Sequence, residues 1–267
     1  MAGAAGGPEE STARRGRCPV STAEQPARLA AVGLSKEYGH VVALDDVSVE
    51  FKPGLTGVVG DNGAGKSTLM RILSGVEVAD EGSVLVDGQP QALESAKAAR
   101  LAGIESLYQD LALVDTMSVA DNIFLGREIT HRALGVRVVD RRRMRQEADR
   151  VLSTVRIAMP PSRTGVKQLS GGQRQAVAIA RALHFKARVV LLDEPTAALG
   201  PRETAAFLSL IREVADRETV VMVGHNLPQM LDLADHLLVM RAGRVLATPK
   251  PKDTSLRDLA ELMVGSA

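Results

Sequence analysis

The chain has 267 residues, of which 45% are hydrophobic and 24% charged, a composition typical of a globular protein with a sizeable core. The 33 lysines and arginines nearly balance the 32 aspartates and glutamates, so a net charge of +1 gives no sign of binding to nucleic acid or an anionic membrane. The single cysteine, Cys18, excludes an intrachain disulfide and suits a reducing compartment. No apolar run is long enough to span a bilayer, and the N-terminus lacks the apolar centre of a secretion signal. We therefore expect a soluble, cytoplasmic protein.

Residues 1–27 are rich in Ala, Gly, Ser, Thr and Pro, and we predict a disordered tail there, followed by one folded domain over 28–267. Strands are predicted at LAAVGL, VVALDDVSVEF, LTGVVG, GSVLVDG, GIESLYQ, ARVVLLDE, ETVVMVGH and DHLLVMRAGRVLAT. The continuous apolar run from Val189 to Leu192 indicates a strand buried on both faces, as in a parallel sheet covered by helices. VVALDDVSVEF alternates and indicates an antiparallel strand, and RAGRV predicts a hairpin turn at Gly243.

Helices are predicted at 66–75, 93–102, 118–125, 139–157, 172–184, 201–217, 227–234 and 254–264. The segment from about 95 to 165 is therefore mostly helical and is interpreted as a helical insertion in an α/β core. Its helix VDRRRMRQEADRVLSTV carries five arginines. We interpret them as a solvated face with Glu147 and Asp149 as partners, in preference to a nucleic-acid patch.

The stretch GDNGAGKST matches the phosphate-loop pattern G-x-x-x-x-G-K-[ST], between the strand LTGVVG and the helix STLMRILSG. Glycines let backbone N–H groups turn toward phosphate oxygens, and the helix N-terminus adds its dipole. Lys66 is expected to reach the β- and γ-phosphates, and the Ser67 hydroxyl to hold Mg²⁺. A glycine-rich strand-to-helix turn without a ligand is the alternative. The predicted nucleotide-binding residues here are Gly60, Asp61, Asn62, Gly63, Ala64, Gly65, Lys66, Ser67 and Thr68.

Two carboxylates follow the buried strand in VVLLDEPTAALG. Ligands of open parallel sheets bind at the carboxyl ends of the strands, and neighbouring side chains on a strand point to opposite sides. We therefore assign Asp193 to Mg²⁺, through the water shell of the metal, and Glu194 to orienting and deprotonating the attacking water. The alternative is a solvated acidic pair that caps the next helix.

A second glycine-rich stretch, LSGGQRQAVAIARAL, precedes LLDEP. The ordered set of phosphate loop, LSGGQ and LLDEP resembles the ATP-binding cassette (ABC) ATPases over nearly all of residues 28–267. The resemblance implies a P-loop NTPase fold of class α/β, with a parallel core sheet, an N-terminal antiparallel β subdomain and the helical insertion. It also implies the cofactors ATP and Mg²⁺.

Further residue roles follow from the same resemblance. Tyr38 matches the aromatic residue that stacks on adenine. Gln109 matches the glutamine that touches the metal and the attacking water, on the segment that relays nucleotide state to a membrane partner. His225 matches the histidine that contacts the γ-phosphate.

Ser170, Gly171, Gly172 and Gln173 match the family signature. In these ATPases two cassettes face head to tail, and each ATP lies between the phosphate loop of one subunit and the signature of the other. The Ser170 hydroxyl and the glycine N–H groups at a helix N-terminus suit such a second anion site. One departure concerns Gly200, in TAALG, where the family usually has an aspartate that contacts the opposing subunit, so communication between the two sites is expected to differ.

The stretches LYQDLALVDTMSVADNIFLGRE and EPTAALG resemble the simple-sugar import branch, in its single-cassette, fructose-type form. This resemblance offers an alternative for Gly200, as a feature of that branch. The same resemblance implies a homodimer that powers uptake through separate integral membrane permease subunits, which it contacts near Gln109. It also implies an indirect partnership with an extracytoplasmic solute-binding protein and a peripheral position on the inner face of the membrane. Three alternatives remain open: an importer ATPase for another solute such as an amino acid, a non-transport ABC ATPase acting on DNA or ribosomes, and an interaction module without turnover. The spacing between Lys66 and Ser170 is too short for the long coiled coil of chromosome-type ABC ATPases. The near-neutral charge also disfavours an ATPase that binds nucleic acid.

Overall fold

The computed structural model describes residues 27–107, 112–133, 135–155, 157–197 and 199–264. Cys18, Gln109 and the predicted tail up to residue 26 lie outside these ranges. In chain order the strands are β1 (Leu29–Tyr38), β2 (Val41–Phe51), β3 (Gly54–Val59), β4 (Glu81–Val86), β5 (Gln89–Gln91), β6 (Ile104–Leu107), β7 (Thr130–Ala133), β8 (Val136–Val139), β9 (Val189–Asp193), β10 (Thr219–Val223), β11 (His236–Arg241) and β12 (Arg244–Ala247).

The helices are α1 (Lys66–Leu73), α2 (Ala96–Leu101), α3 (Val119–Ile123), α4 (Arg141–Leu152), α5 (Gly171–His184), α6 (Pro201–Ala215), α7 (Leu227–Leu233) and α8 (Leu256–Val264). Two short 3₁₀ helices lie at Val166–Gln168 and Pro251–Asp253. Each predicted helix is present, with ends that differ by a few residues. In the described ranges, no helix is both long and apolar enough to cross a membrane.

The core sheet has six strands in the order β12-β11-β3-β10-β9-β6. All neighbouring strands run parallel except β11 and β12, which form the predicted antiparallel hairpin around Gly243. Every residue of β3 and β10 is buried, because helices cover both faces of a parallel sheet. The aliphatic runs that predicted central strands are therefore confirmed in type and position.

A second, antiparallel sheet has the order β2-β1-β4-β5. Its inward-facing side chains, including Leu29, Leu44 and Phe51, pack in one cluster with residues of α1, β9 and β11. This cluster holds the phosphate-loop helix between the two sheets. The alternating pattern of VVALDDVSVEF correctly predicted an antiparallel strand with one buried face.

The segment 95–165 contains α2, α3 and α4, but it is less helical than predicted, because β7 and β8 form an antiparallel hairpin within it. The prediction missed this hairpin because three of its valines, Val136, Val138 and Val139, are exposed and follow no buried pattern. The predicted charge partners are also only partly correct. Glu147 pairs with Arg150 at 3.0 Å, whereas the Asp149 carboxylate accepts from the Ser162 N–H at 3.0 Å.

Candidate active site

The topology of the core sheet brings three predicted motifs to one edge. Strand β10 lies between β3 and β9, and all three run parallel. In this register Val223 lies opposite both Val58 and Asp193, so the three strands end at nearly the same level. The phosphate loop after β3, the carboxylates at the end of β9 and His225 after β10 are therefore neighbours, although the chain separates them widely.

Lys66 is the first residue of α1, and its side chain turns back into the phosphate loop. Its Nζ donates to the carbonyl oxygens of Gly60 at 2.7 Å and Asp61 at 2.8 Å. The residue is only 6% exposed. Burial lowers the pKa of the Lys66 ammonium, and the carboxylates of Glu194, Asp61 and Asp193 act in the opposite direction. The loop thus holds a buried ammonium group close to the carboxylates of Asp193 and Glu194. Anionic phosphates form strong charge-assisted hydrogen bonds with such a group.

Asp193 ends β9 and is half-buried. Its Oδ1 is buried and has no hydrogen-bond partner among the described residues. Burial raises the pKa of the Asp193 carboxyl, and the nearby Glu194 carboxylate raises it further. A buried carboxylate oxygen without a donor indicates a group that ordinarily interacts with something outside the chain.

Glu194 adopts a left-handed backbone with φ of +48°, which is uncommon for a residue other than glycine. Its N–H donates to the Val223 carbonyl at 3.2 Å, so the bend is fixed by the neighbouring strand. Glu194 Oε1 lies 2.5 Å from Nε2 of His225. The two side chains are 31 positions apart in sequence, and the contact joins the predicted base to the predicted γ-phosphate residue. Strain at a site of this kind is often associated with function.

The residues present fit a magnesium ion. Carboxylate, hydroxyl and amide oxygens are its preferred protein ligands, and it keeps several waters. The unpartnered Asp193 Oδ1 and the exposed Ser67 hydroxyl meet that requirement. No cluster of three or more His, Cys, Asp or Glu side chains that could hold a metal occurs in the part of the chain that the structure describes.

The signature residues form the start of α5. Ser170 caps the helix, and its side chain and that of Gln173 form a reciprocal capping box. Gln173 Nε2 also donates to the Ala158 carbonyl at 3.0 Å, so both polar atoms of this side chain form intramolecular hydrogen bonds. Ser170 and Gly171 are exposed, whereas Gly172 is buried. Helix α5 packs against α4, α6 and α3, while the phosphate-loop helix α1 packs against β2 and β9.

Two further predicted residues have different outcomes. Tyr38 is 43% exposed, its hydroxyl donates to Glu77, and the Lys36 ammonium lies 5.8 Å from its ring centroid. The Tyr38 ring is thus accessible to a ligand, and its adenine-stacking role stays a prediction. Gln109 lies outside the described residues, so its predicted role also remains a prediction.

Several buried contacts near the site were missed in the sequence. Glu105 on β6 is 4% exposed and lies 3.3 Å from Arg181 of α5 and 3.8 Å from Arg127. Gln175 Nε2 of α5 donates to the Pro195 carbonyl, directly after the two carboxylates. An acidic residue within the apolar strand GIESLYQ was a usable signal, because a buried glutamate is seldom left unpaired. Its partners were not readable, since they lie on distant segments.

Comparison with known proteins agrees with this geometry. A family model described as ABC transporter matches residues 44–197, more than half of the chain. The fructose import ATP-binding protein FrcA of Rhizobium meliloti is 43% identical over 91% of this chain and 96% of its own length. The xylose/arabinose import ATP-binding protein XylG of Sulfolobus acidocaldarius is 39% identical over 88% of this chain and 92% of its own. The solved structure of cbiO1 from Clostridium perfringens, part of the ABC transporter complex cbiONQ, has a TM-score of 0.71 at 27% identity and covers 86% of this chain and 90% of that one. The predicted resemblance to a single-cassette sugar-import ATPase is therefore confirmed. The chain belongs to the ABC transporter family, as an ATPase domain of that family.

Proposed function

We propose that this chain is the ATP-hydrolysing subunit of an importer for a simple sugar and that it works as a head-to-tail homodimer. The observation that carries the hydrolytic part is the contact of Glu194 with His225 at the sheet edge that also holds Lys66. The similarity to fructose and xylose/arabinose import proteins supports the sugar class.

The geometry supports the following division of work. The N–H groups of the phosphate loop and the Lys66 ammonium bind the phosphates of ATP and stabilise the charge that develops on them. Glu194 orients the attacking water and accepts its proton. His225 holds the Glu194 carboxylate in place, and we assign to it the contact with the γ-phosphate. Ser67, Asp193 and Gln109 would hold Mg²⁺, which, when bound, supplies positive charge to the β- and γ-phosphate oxygens.

The signature belongs to the second half of the site. Ser170 and Gly171 are exposed at the N-terminus of α5, which the capping box keeps well formed. A hydroxyl, free N–H groups and a helix dipole suit a phosphate group. We assign this surface to the ATP held by a second copy of the chain. ATP held from both sides closes the dimer, and hydrolysis opens it.

A groove next to the site suits the permease subunits. It has a volume of about 520 Å³ and is lined in part by β6, the strand that precedes Gln109 in the sequence. Its lining includes Arg100, Glu105, Leu125 and Arg181, from both the core sheet and the segment 95–165. The Glu105–Arg181 pair joins the groove to α5, the helix that begins with the signature. We assign the docking of a permease loop to this groove. A permease that is engaged in this way holds the ATPase at the inner face of the membrane.

Hydrolysis is tested with purified protein and MgATP. We expect Glu194→Gln to lower kcat by about a hundredfold or more while ATP still binds, since the general base is lost. Lys66→Ala is expected to weaken nucleotide binding itself. Glu218→Gln is a matched control, because Glu218 lies far from this edge of the sheet. Its carboxylate pairs with Arg28 at a distance of 2.6 Å. Hydrolysis at the wild-type rate in Glu194→Gln would refute the assignment of the base.

Assembly is tested with the Glu194→Gln variant, which retains ATP. Light scattering should report a dimer with ATP and a monomer without it. A monomer at saturating ATP would contradict the head-to-tail proposal.

The transport role is tested by isolating the tagged chain from its own cells. Recovery with an integral membrane permease supports an importer, and recovery with ribosomes contradicts it. The ligand of the associated solute-binding protein then identifies the solute. A sugar supports the proposal, and an amino acid would replace it with the alternative importer class.

A further inference from the structure

Gly200 and Glu203 form a local arrangement at the beginning of α6 that the hydrolytic site does not use. Gly200 caps α6, Pro201 follows it, and Glu203 lies in the first helical turn. A Cβ atom built on Gly200 would lie 2.5 Å from Glu203 Oε2. The carboxylate of Glu203 therefore occupies the space that a side chain at position 200 would fill.

Glu203 also touches the signature helix. A Cβ atom built on Gly172 would lie 3.2 Å from Glu203 Cγ and 3.4 Å from its Cβ. The aliphatic part of Glu203 thus packs on the first turn of α5, next to the exposed Ser170 and Gly171. The charged end reaches past this contact toward Gly200.

Glu203 is exposed, and among the described residues its carboxylate has no ion-pair or hydrogen-bond partner. Exposed charges without partners at the edge of an interface commonly serve orientation and association more than folding. Here the charge lies beside the surface that the proposed function assigns to a second copy of the chain.

We propose that Glu203 is an acidic contact to the second copy of this chain and that Gly200, which has no side chain, lets the Glu203 carboxylate take this position. This inference rests on the proposed head-to-tail dimer. In that arrangement the signature side of one subunit meets the phosphate-loop side of the other. The exposed residues on that side include Asn62, whose side-chain amide can donate a hydrogen bond.

An acidic contact at position 203 accounts for the glycine at position 200. The usual aspartate at that position and the Glu203 carboxylate would compete for the same space and repel each other. This chain therefore carries its negative charge three residues later, on a longer side chain anchored on Gly172. Communication between subunits is expected to persist, through a different residue.

The test measures ATP-driven dimerisation in the Glu194→Gln background by analytical ultracentrifugation. ATP binding to the monomer is followed in parallel with a fluorescent ATP analogue. We expect Glu203→Ala and Glu203→Gln to weaken dimerisation by about tenfold or more, because a charged interface contact is lost. Binding of the analogue by the subunit's own phosphate loop should not change.

A rescue experiment separates this contact from simple helix capping. Gly200→Asp is expected to weaken dimerisation when Glu203 is present and to restore most of it when combined with Glu203→Ala. Gly200→Asn combined with Glu203→Ala is the control, since asparagine caps a helix as well as aspartate does but carries no charge. Rescue by asparagine equal to that by aspartate would overturn the proposal, as would unchanged dimerisation in Glu203→Ala.

The two levels of the proposal fail in different ways. If the Glu194→Gln parent stays monomeric with ATP, the head-to-tail assembly is refuted, and the role of Glu203 with it. If the parent dimerises and the Glu203 variants dimerise equally well, only the role of Glu203 is refuted.

Discussion

Gly63 and Gly65 lie two residues apart in the phosphate loop, and we expect alanine to be tolerated very differently at the two positions. Both have a left-handed backbone, with φ of +79° and +95°. A Cβ on Gly65 would lie 2.6 Å from the Ala43 carbonyl oxygen and 2.9 Å from Leu44 Cδ2. A Cβ on Gly63 would meet no atom within 4 Å. Gly65→Ala therefore adds a steric clash to the backbone strain that both variants share.

The size of the difference follows from these contacts. Strain at an unfavourable φ is worth about 1–3 kcal/mol and applies to both variants. Overpacking against a backbone oxygen and a core leucine adds about 1–3 kcal/mol for Gly65→Ala alone. An extra loss of about 2 kcal/mol corresponds to a Tm roughly 4–8 °C below that of Gly63→Ala for a domain of this size.

The assay is thermal and urea unfolding of the nucleotide-free protein, followed by far-ultraviolet circular dichroism because the chain has no tryptophan. Gly63→Ala serves as the matched control for backbone strain. Equal Tm values for the two variants would refute the view that close packing of β2 on the loop imposes glycine at position 65.

Three further predictions concern buried charges. Glu105→Leu leaves the buried Arg181 without its partner and should destabilise the fold by about 3–5 kcal/mol in urea unfolding; a loss under 1 kcal/mol, as for an exposed pair, would contradict the burial of this contact. Asp193→Asn should raise the Tm of the nucleotide-free protein at neutral pH, because burial raises the pKa of Asp193 and its charged form is disfavoured in the folded state. The wild type recovers this difference as the pH falls through the folded pKa of Asp193, so a Tm gain independent of pH would refute the reasoning. Burial also lowers the pKa of His184, because the folded state favours the neutral imidazole. The stability that His184 contributes is therefore lost as the pH falls from 6.5 through its folded pKa. His184→Phe should flatten the pH dependence of Tm in this range.

Local patterns were enough to predict most of the fold. The aliphatic runs of β3, β9 and β10 indicated central parallel strands because burial on both faces leaves no polar alternation. Serine and asparagine caps such as Ser95, Ser118 and Asn226 begin helices close to the predicted positions. The hairpin of β7 and β8 was not predicted, because its short strands are exposed and owe their pairing to backbone hydrogen bonds.

The phosphate loop and the order of the signature and carboxylate motifs are readable along the chain, because each is a run of adjacent residues whose chemistry is local. Contacts between distant segments are different, since they depend on how the sheet orders its strands. Glu194 meets His225 because β10 pairs with β9. Glu203 meets Gly172 because α6 packs on α5. Glu105 finds Arg181 because α5 lies against β6. Packing alone sets these long-range contacts, because each joins segments that are distant in the sequence.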